Sequence, residues 1–355
     1  MKKSLFFLFL LLLCGFLFAA NETDEIKFDK LPAPVSNNAV TGFKHHGRLI
    51  IFSFMGIGPK KTWDAVTNAA YSLDTDGEKW KTVHPVPGTA GRIASVAVAA
   101  RDHIFVFGGY VLDAQGSGMT VPDVNVYDPG TDLWLRGGDM PLPVGDAVAG
   151  VYRERYIYVL GGRSNNAVES AVQIYDAEKN MWLKGTPLPS PIFGHAGALL
   201  GDTIVYIDGA EINASGQKPW FVPSDACWMG KIDHHDFKVI HWSKLPPHPG
   251  DARFRIAAGG FDKDDKIYFS GGSSAPYTVN GMTSDGKPLE PSAMTFAFNL
   301  RNNKWEVIDS NTPDPTMDHH GLAVMPEGIV IAGGMEKGQQ VTARVSIIPR
   351  QTKGK

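Results

Sequence analysis

Short apolar runs alternate with turn-forming residues along almost the whole chain. After the first twenty residues, no run is long or periodic enough at 3.6 residues to indicate a helix. The runs are rich in Val, Ile, Tyr and Phe, and they are separated by Gly, Pro, Asp and Asn. These residue types favour strands and turns. The pattern therefore predicts an all-β protein built from many short strands.

One apolar run recurs, and each copy ends in two glycines or a close variant of them. The copies are HIFVFGG, YIYVLGG, TIVYIDG, KIYFSGG and GIVIAGG, which end at Gly109, Gly162, Gly209, Gly272 and Gly334. A degenerate first copy ends in MGIG. Strands ending in tryptophan accompany these runs, at Trp80, Trp134, Trp182, Trp242 and Trp305. The spacing from tryptophan to the next final glycine is nearly constant, whereas the spacing from glycine to tryptophan varies.

This recurrence of Gly-Gly, Tyr and Trp resembles kelch repeats, which build β-propellers. Paired glycines allow a turn where a Cβ atom would clash, and the aromatic residues supply apolar area between neighbouring blades. Five glycine units and the degenerate copy predict a six-bladed kelch β-propeller. It forms a single domain over residues 21–355.

The last predicted blade lacks a tryptophan strand after VSIIP at residues 345–349. The missing strand is found at the other end of the chain, where FDKLP at 28–32 matches WSKLP at 242–246. We therefore expect residues 26–31 to pair as the outer strand of the blade that contains Gly334. This N-terminal strand would close the propeller and cover an exposed edge.

Residues 1–20 have the order of a secretory signal peptide. Lys2 and Lys3 precede an apolar stretch from Leu5 to Phe18, and Ala19-Ala20 supply small residues before the polar Asn21. The stretch is short for a bilayer span, which needs about 20 residues. The sequence predicts a periplasmic or secreted protein with no stable membrane span after cleavage. An uncleaved anchor is the alternative.

Composition narrows the classes of partner and cofactor. The formal net charge is -3 with 20% charged residues, so the chain lacks the excess of basic residues that a nucleic-acid-binding protein needs. Cys227 is the single cysteine of the mature chain, which predicts a small buried hydrophobe. A copper radical oxidase would need a cysteine cross-linked to tyrosine and two histidines, and Cys227 has no convincing partner. We expect no metal and no cofactor.

Candidate site residues come from two sets of loops on one face of the propeller. Arg92 and Arg255 stand seventeen residues before the final glycine of their repeats, and His195 and His320 stand fourteen before it. Equivalent positions should converge on the axis. Arg163 and Glu211 follow the glycines of their own blades. The alternative is structural, because arginine and histidine at these positions can brace the loops.

Three stretches resemble the periplasmic sialic-acid mutarotase family, also called N-acetylneuraminate epimerase. They are AAYSLDTDGEKW (69–80), GRIASVAVAARDHIFVFGG (91–109) and GGMEKGQQVTARVSIIP (333–349). The resemblance implies an isomerase acting on the anomeric centre of an acidic sugar. It places Glu211, with a one-residue shift, at the glutamate of the family's fourth blade. The arginine that follows in the family has no counterpart, since Gln217, Lys218 and Pro219 stand near its place.

These observations give a functional hypothesis. Mutarotation needs a base and an acid, and Glu211 with His195 is the predicted pair. Arg92, Arg255, Arg163 and His320 are the predicted substrate-binding residues, because guanidinium groups can hold a carboxylate. The partner would be a small sugar or a glycan. The alternative is a non-catalytic propeller that binds a glycan or a protein on the same face.

Overall fold

The structure is a computed structural model that describes residues 27–88 and 90–350. These residues form 29 β-strands, two short 3-10 helices (Trp63–Ala65 and Lys337–Gln339) and no α-helix. Five four-stranded sheets and one three-stranded sheet follow each other along the chain. Their innermost strands contact one another in a closed cycle, from the first sheet to the sixth and back. The predicted six-bladed propeller is confirmed. The predicted signal peptide lies outside the described residues.

The first three blades take up the N-terminal half of the chain. The first blade comprises β1 (Ala39–His45), β2 (Arg48–Ile57), β3 (Val66–Asp74) and β4 (Trp80–Val83). The second comprises β5 (Val96–Ala100), β6 (His103–Phe107), a hairpin of β7 (Tyr110–Leu112) and β8 (Gly118–Thr120), β9 (Val124–Asp128) and β10 (Leu133–Arg136). The third comprises β11 (Val148–Tyr152), β12 (Tyr156–Leu160), β13 (Val172–Asp176) and β14 (Met181–Lys184).

The other three blades complete the circle. The fourth comprises β15 (Ala196–Leu200), β16 (Thr203–Ile207), a hairpin of β17 (Ala210–Ile212) and β18 (Phe221–Pro223), β19 (Cys227–Ile232) and β20 (Ile240–Lys244). The fifth comprises β21 (Ala257–Phe261), β22 (Lys266–Ser270), β23 (Thr295–Asn299) and β24 (Lys304–Asp309). The sixth comprises β25 (Ala323–Val324), β26 (Gly328–Ala332), a hairpin of β27 (Met335–Glu336) and β28 (Gln340–Val341), and β29 (Val345–Pro349).

The tryptophans join neighbouring blades, as the sequence predicts. Trp134 of the second blade lies 4.8 Å from Tyr127 and 5.5 Å from Phe54 of the first blade, between ring centroids. Its indole nitrogen donates to the backbone oxygen of His84, at 2.8 Å, just beyond the first blade's outer strand. Equivalent bonds run from Trp182 to Gly138 and from Trp305 to Pro246. The core therefore consists of aromatic and aliphatic layers between blades.

Glycine at the end of the second strand is required by close approach. A Cβ atom on Gly109, whose φ is +92°, would lie 2.3 Å from the Ser95 hydroxyl oxygen and 2.6 Å from the Ile93 carbonyl oxygen. Asp208 replaces the first glycine in the fourth blade and keeps a positive φ of 59°. Its carboxylate accepts from the backbone N–H of Arg253, at 2.9 Å, which compensates for the substitution.

The N-terminal segment closes the propeller against the sixth blade. The Trp80 indole donates to the Asp29 carbonyl at 3.0 Å, so Asp29 occupies the place that His84 holds for Trp134. The backbone N–H groups of Leu31 and Val35 donate to loop carbonyls just before β29, at 2.8 and 3.1 Å. Both side chains pack on β26. Closure by this segment is confirmed.

The register of that segment differs from the sequence match. Trp305 donates to Pro246 and Trp80 donates to Asp29, which makes Phe28 equivalent to Leu245 and not to Trp242. The sequence match aligned Leu31-Pro32 with Leu245-Pro246, but in the structure Leu31-Pro32 lies three residues beyond the equivalent position. Residues 27–31 make no β-ladder, so the predicted outer strand is wrong for them, and residue 26 lies outside the described residues. The segment closes the blade through single backbone hydrogen bonds and side-chain packing.

Candidate functional site on the loop face

Six residues with φ between +51° and +75° surround the axis, each in the loop that leads into an innermost strand. The backbone N–H of five of them donates to the C=O of the preceding member at 2.8 to 3.3 Å. In the sixth blade the N–H of His319, next to Asp318, donates to the Arg255 C=O instead, at 3.3 Å. We call them the axial ring: Asn37, Ala94, Asp146, Gly194, Arg255 and Asp318. All six are buried. The ring lies where the chain enters the innermost strands, on the face that carries the loops after the glycines, which we call the loop face.

Arg255 is the centre of a buried charged network within the ring. Its Nε and Nη2 donate to the two carboxylate oxygens of Asp146 at 2.7 and 3.0 Å, and its Nη1 donates to Asp318 Oδ1 at 2.7 Å. Asn37 Nδ2 donates to the same Asp318 oxygen at 2.6 Å. His320 Nε2 lies 3.1 Å from Asn37 Oδ1 and 3.6 Å from Asp146 Oδ1. The network joins four of the six blades.

Burial and charge oppose each other in this network. Burial would raise the pKa of Asp146, but the Arg255 guanidinium and His320 hold that pKa below its usual value. Burial would lower the pKa of Arg255, but Asp146 and Asp318 raise it well above the usual value. Burial lowers the pKa of His320 to about 4. At neutral pH the histidine is therefore neutral, and Arg255 faces two carboxylates.

Part of the long loop of the fifth blade crosses the axis above this network. We call residues 277–282 the strap. The Tyr277 hydroxyl donates to Asp318 at 3.2 Å, and the Arg255 guanidinium lies 5.3 Å from the Tyr277 ring centroid. Val279 packs on the first two blades, and Lys61 Nζ donates to the Asn280 carbonyl at 3.3 Å. The strap covers the part of the axis on which the sequence predicts that the candidate site residues converge.

Arg92 does not join Arg255. Its Nε lies 3.4 Å from Met55 Sδ, and its Nη2 donates to Asn125 Oδ1 at 2.6 Å, between the first two blades. Asp123 stands 3.9 Å away, and burial lowers the pKa of Arg92 to about 10. Arg92 is an internal residue of a blade interface. The predicted convergence of the two arginines is wrong.

The error arises from turn length. The turn after β21 has four residues, 262–265, whereas the turn after β5 has two, 101–102. Counting seventeen residues back from the final glycine therefore reaches structural positions two residues apart in these two blades. The backbone shows the correct equivalence, since Arg92 and Arg253 both accept from the final glycine of the preceding blade. A three-residue turn after β25 causes a shift of one, so His195 is equivalent to His319 and not to His320.

His195 lies one residue beyond the axial ring and is buried. Its ring makes an edge-on contact with Tyr206 at 5.5 Å, and neither ring nitrogen makes a hydrogen bond of ordinary geometry. Burial lowers its pKa to about 3, against the smaller opposing effects of Asp146 and of the Leu160 carbonyl. It therefore contributes a neutral imidazole at pH 7. It borders a channel of about 620 Å³ lined by the innermost strands of all six blades.

Glu211 and Arg163 are the predicted residues that remain exposed on the loop face. Glu211 lies in β17, and its carboxylate has no hydrogen-bond or ion-pair partner among the described residues. The Arg163 guanidinium lies 5.3 Å from the ring centroid of Phe221 in β18, also without an ion pair to any described residue. Glu211 pairs with Val222, so it lies on the opposite face of the hairpin from Phe221. The two groups flank one rigid hairpin.

Cys227 and the possible metal-ligating side chains do not contribute to a site on the loop face. Cys227 is buried, its Sγ lies 3.2 Å from the Pro246 carbonyl oxygen, and burial raises its pKa to about 12. No group of three His, Cys, Asp or Glu side chains within residues 27–88 and 90–350 could hold a metal ion. No helix in the same part of the chain is long and apolar enough to cross a membrane.

The blades, the glycine turns and the tryptophans between blades define the class of protein: a six-bladed kelch β-propeller. The chain belongs to the kelch-repeat domain family described as KLHDC2/KLHL20/DRC7, whose model matches residues 19–209. It is 30% identical over 98 residues to the kelch-like protein terF of Aspergillus terreus, which covers 27% of this chain. The chain spans about a fifth (21%) of the length of that curated relative.

A solved structure, that of YjhT, shares the architecture. The two chains superpose with a TM-score of 0.72 over 92% of this chain and 98% of that chain, at 19% sequence identity. At this identity the likeness is one of fold. The predicted resemblance to kelch propellers is confirmed, and the choice of ligand is left to the chemistry of the loop face.

Proposed function

We propose that this protein is an exported sugar mutarotase that exchanges the anomers of a carboxylated sugar on its loop face. The observation that carries the proposal is Glu211, an exposed carboxylate without a partner among the described residues, placed on a hairpin whose opposite face contacts a cationic side chain. Arg163 supplies that charge from the neighbouring blade. The resemblance of three stretches to the sialic-acid mutarotase family makes N-acetylneuraminate the first substrate to test.

The chemistry needs only acid and base. Glu211 would accept the proton of the anomeric hydroxyl while the ring C–O bond breaks and the ring oxygen takes up a proton from a water molecule of the solvent. The open-chain keto form then closes from its other side, and the two protons return. No redox change occurs. The buried Arg255, Arg92 and His320 take no part in this proposal, because each is held by internal partners. His195 takes no part either, because it is buried at the axial channel while Glu211 is exposed on the loop face, so the predicted acid–base pair is not brought together.

Glu211→Gln should slow the catalysed exchange of anomers by roughly a hundredfold or more, because the amide keeps the shape and loses the base. The measurement is NMR of freshly dissolved α-anomer, with and without protein. Glu336→Gln is the matched control, since Glu336 holds the equivalent position in the sixth blade and is paired with Arg344. Anomer exchange that is equally fast with the Glu211 variant and with the parent protein would contradict the proposal.

A non-catalytic binding module is the second candidate, and exposed apolar residues favour it. Four large side chains stand at least half exposed on the loop face: Trp63, Met119, Ile212 and Trp220. A binding module on this face would use such side chains as its apolar contacts. If the sugar shifts NMR signals of the protein but its anomers exchange no faster than in buffer, this candidate replaces the mutarotase.

Export is proposed from residues 1–20 alone. Cleavage after Ala20 would leave Asn21 as the first residue of the mature protein. N-terminal sequencing of the protein from the extracytoplasmic fraction of expressing cells should therefore begin at Asn21. Recovery of the intact N-terminus in the membrane fraction would instead support the uncleaved anchor.

A further inference from the structure

We propose that Trp220 and Lys218 form the surface that binds the acidic sugar beside Glu211. This inference rests on the proposed function for its ligand class. It adds two residues of the β17–β18 hairpin that the resemblance does not supply. It also assigns the carboxylate of the sugar to Lys218, since the arginine of the mutarotase family has no counterpart in this chain.

The register of the hairpin places Trp220 and Glu211 on the same face. Glu211 pairs with Val222 and Ile212 pairs with Phe221. The pairing continues one step further, because the Asn213 N–H donates to the Trp220 carbonyl at 2.9 Å. Trp220 and Val222 are two residues apart and share a face. Trp220 is thus the diagonal neighbour of Glu211, and such pairs are about 7 to 8 Å apart.

Lys218 adds a positive charge to this face. Its Nζ lies 6.0 Å from the ring centroid of Trp220, within reach of a cation–π interaction. The described residues offer Lys218 no carboxylate partner. The Trp220 backbone is fixed from the next blade, since its N–H donates to Ser284 Oγ at 3.3 Å. The indole is half exposed, so a flat apolar surface lies on the hairpin face that carries Glu211, next to the ammonium group of Lys218.

This arrangement fits one class of ligand. The C–H face of a pyranose ring packs on an indole, which buries apolar area at small entropic cost. A carboxylate on that ring is attracted to Lys218 and repelled by Glu211, so it is oriented towards the lysine. The hydroxyl groups are then left towards Glu211. A neutral sugar would gain the stacking contact but not the orientation.

The experiment separates binding from catalysis by using a sugar that cannot exchange anomers. The probe is the methyl α-glycoside of N-acetylneuraminic acid, and methyl β-galactoside is the neutral comparison. Binding is read from the indole N–H signals of ¹⁵N-labelled full-length mature protein. The Trp220 signal should shift on titration with the acidic glycoside. The Trp63 signal should not, although Trp63 is equally exposed on the same face (51% against 50%).

Substitutions give the magnitudes. Trp220→Ala should weaken binding of the acidic glycoside about tenfold, as expected for the loss of an aromatic contact. Lys218→Gln should weaken it about threefold at low salt, and this difference should vanish at high salt, because the pair is exposed. Trp63→Ala and Lys60→Gln are the matched controls, and each should leave the Kd within twofold.

The outcomes distinguish this inference from the proposed function. If the acidic glycoside binds and Trp220→Ala weakens it, while free sugar exchanges no faster with protein, the binding surface stands and the mutarotase fails. If exchange is accelerated and Trp220→Ala changes neither binding nor rate, the binding surface is overturned and the mutarotase stands. Equal shifts of the Trp63 and Trp220 signals, or equal affinity for both glycosides, also overturn it.

Discussion

Replacing Arg255 by alanine should lower the free energy of unfolding by about 3 to 5 kcal/mol, because it leaves two buried carboxylates without their cation. Asp146 and Asp318 are 3% and 0% exposed, so both lose their cation in a buried environment. The measurement is chemical denaturation at pH 7 of the variant against the parent protein. The effect should spread over the whole domain, since the network joins blades that are distant in sequence.

The control for this experiment is Arg153→Ala, an exposed arginine without an ion pair to any described residue, which should cost at most about 1 kcal/mol through its cation–π contact with Tyr152. Adding Asp318→Asn to Arg255→Ala should recover part of the loss, because it removes one uncompensated charge. A loss below 1 kcal/mol for Arg255→Ala would show that the network is less buried than the structure indicates. A double variant less stable than the single one would show that charge is not the cause.

Leu31→Ala should destabilise the protein by about 2 to 5 kcal/mol, the usual cost of truncating a buried leucine. Leu31 is 3% exposed and packs with Val330 and Ala332 of the last blade. Lys30→Ala, at an exposed position next to it, should be nearly neutral. Thermal unfolding that is equal for the two variants would contradict closure by the N-terminal segment.

The blades could be predicted because their signals are local and periodic. Gly109 and Gly162 stand where a Cβ atom would strike a neighbouring loop, and Trp134 and Trp182 each bond to the blade before their own. Such residues recur with every repeat, so the sequence displays the architecture directly. The count of six follows from them.

The candidate site could be predicted only in part, because it depends on contacts between distant segments. Glu211 and Arg163 come within two residues of the final glycines of their blades, so the varying length of the loops does not displace them, and both are exposed on the predicted face. Arg92 and His320 were misplaced because the turn lengths after β5, β21 and β25 differ, which a single sequence does not reveal. The strap was also missed, since nothing local shows that Tyr277 reaches Asp318.

The axial ring had a partial signal that could have been used. Asn37, Asp146 and Asp318 are residue types that tolerate a positive φ better than most others. Their recurrence just before an innermost strand marks three of the six ring positions. Ala94 and Arg255 lack that signal, since their backbone conformation is imposed by their neighbours in the ring. A search for Asn and Asp would therefore have found half of the ring.

The axial ring also determines how this domain can come apart. In an open array of repeats the end units have one neighbour each, and they can unfold while the others persist. Here the hydrogen bonds at the axis run from blade to blade round the full circle, so every unit has two neighbours and none is an end. Loss of one blade leaves a buried donor on one side and a buried acceptor on the other. We therefore expect the domain to unfold in a single cooperative transition.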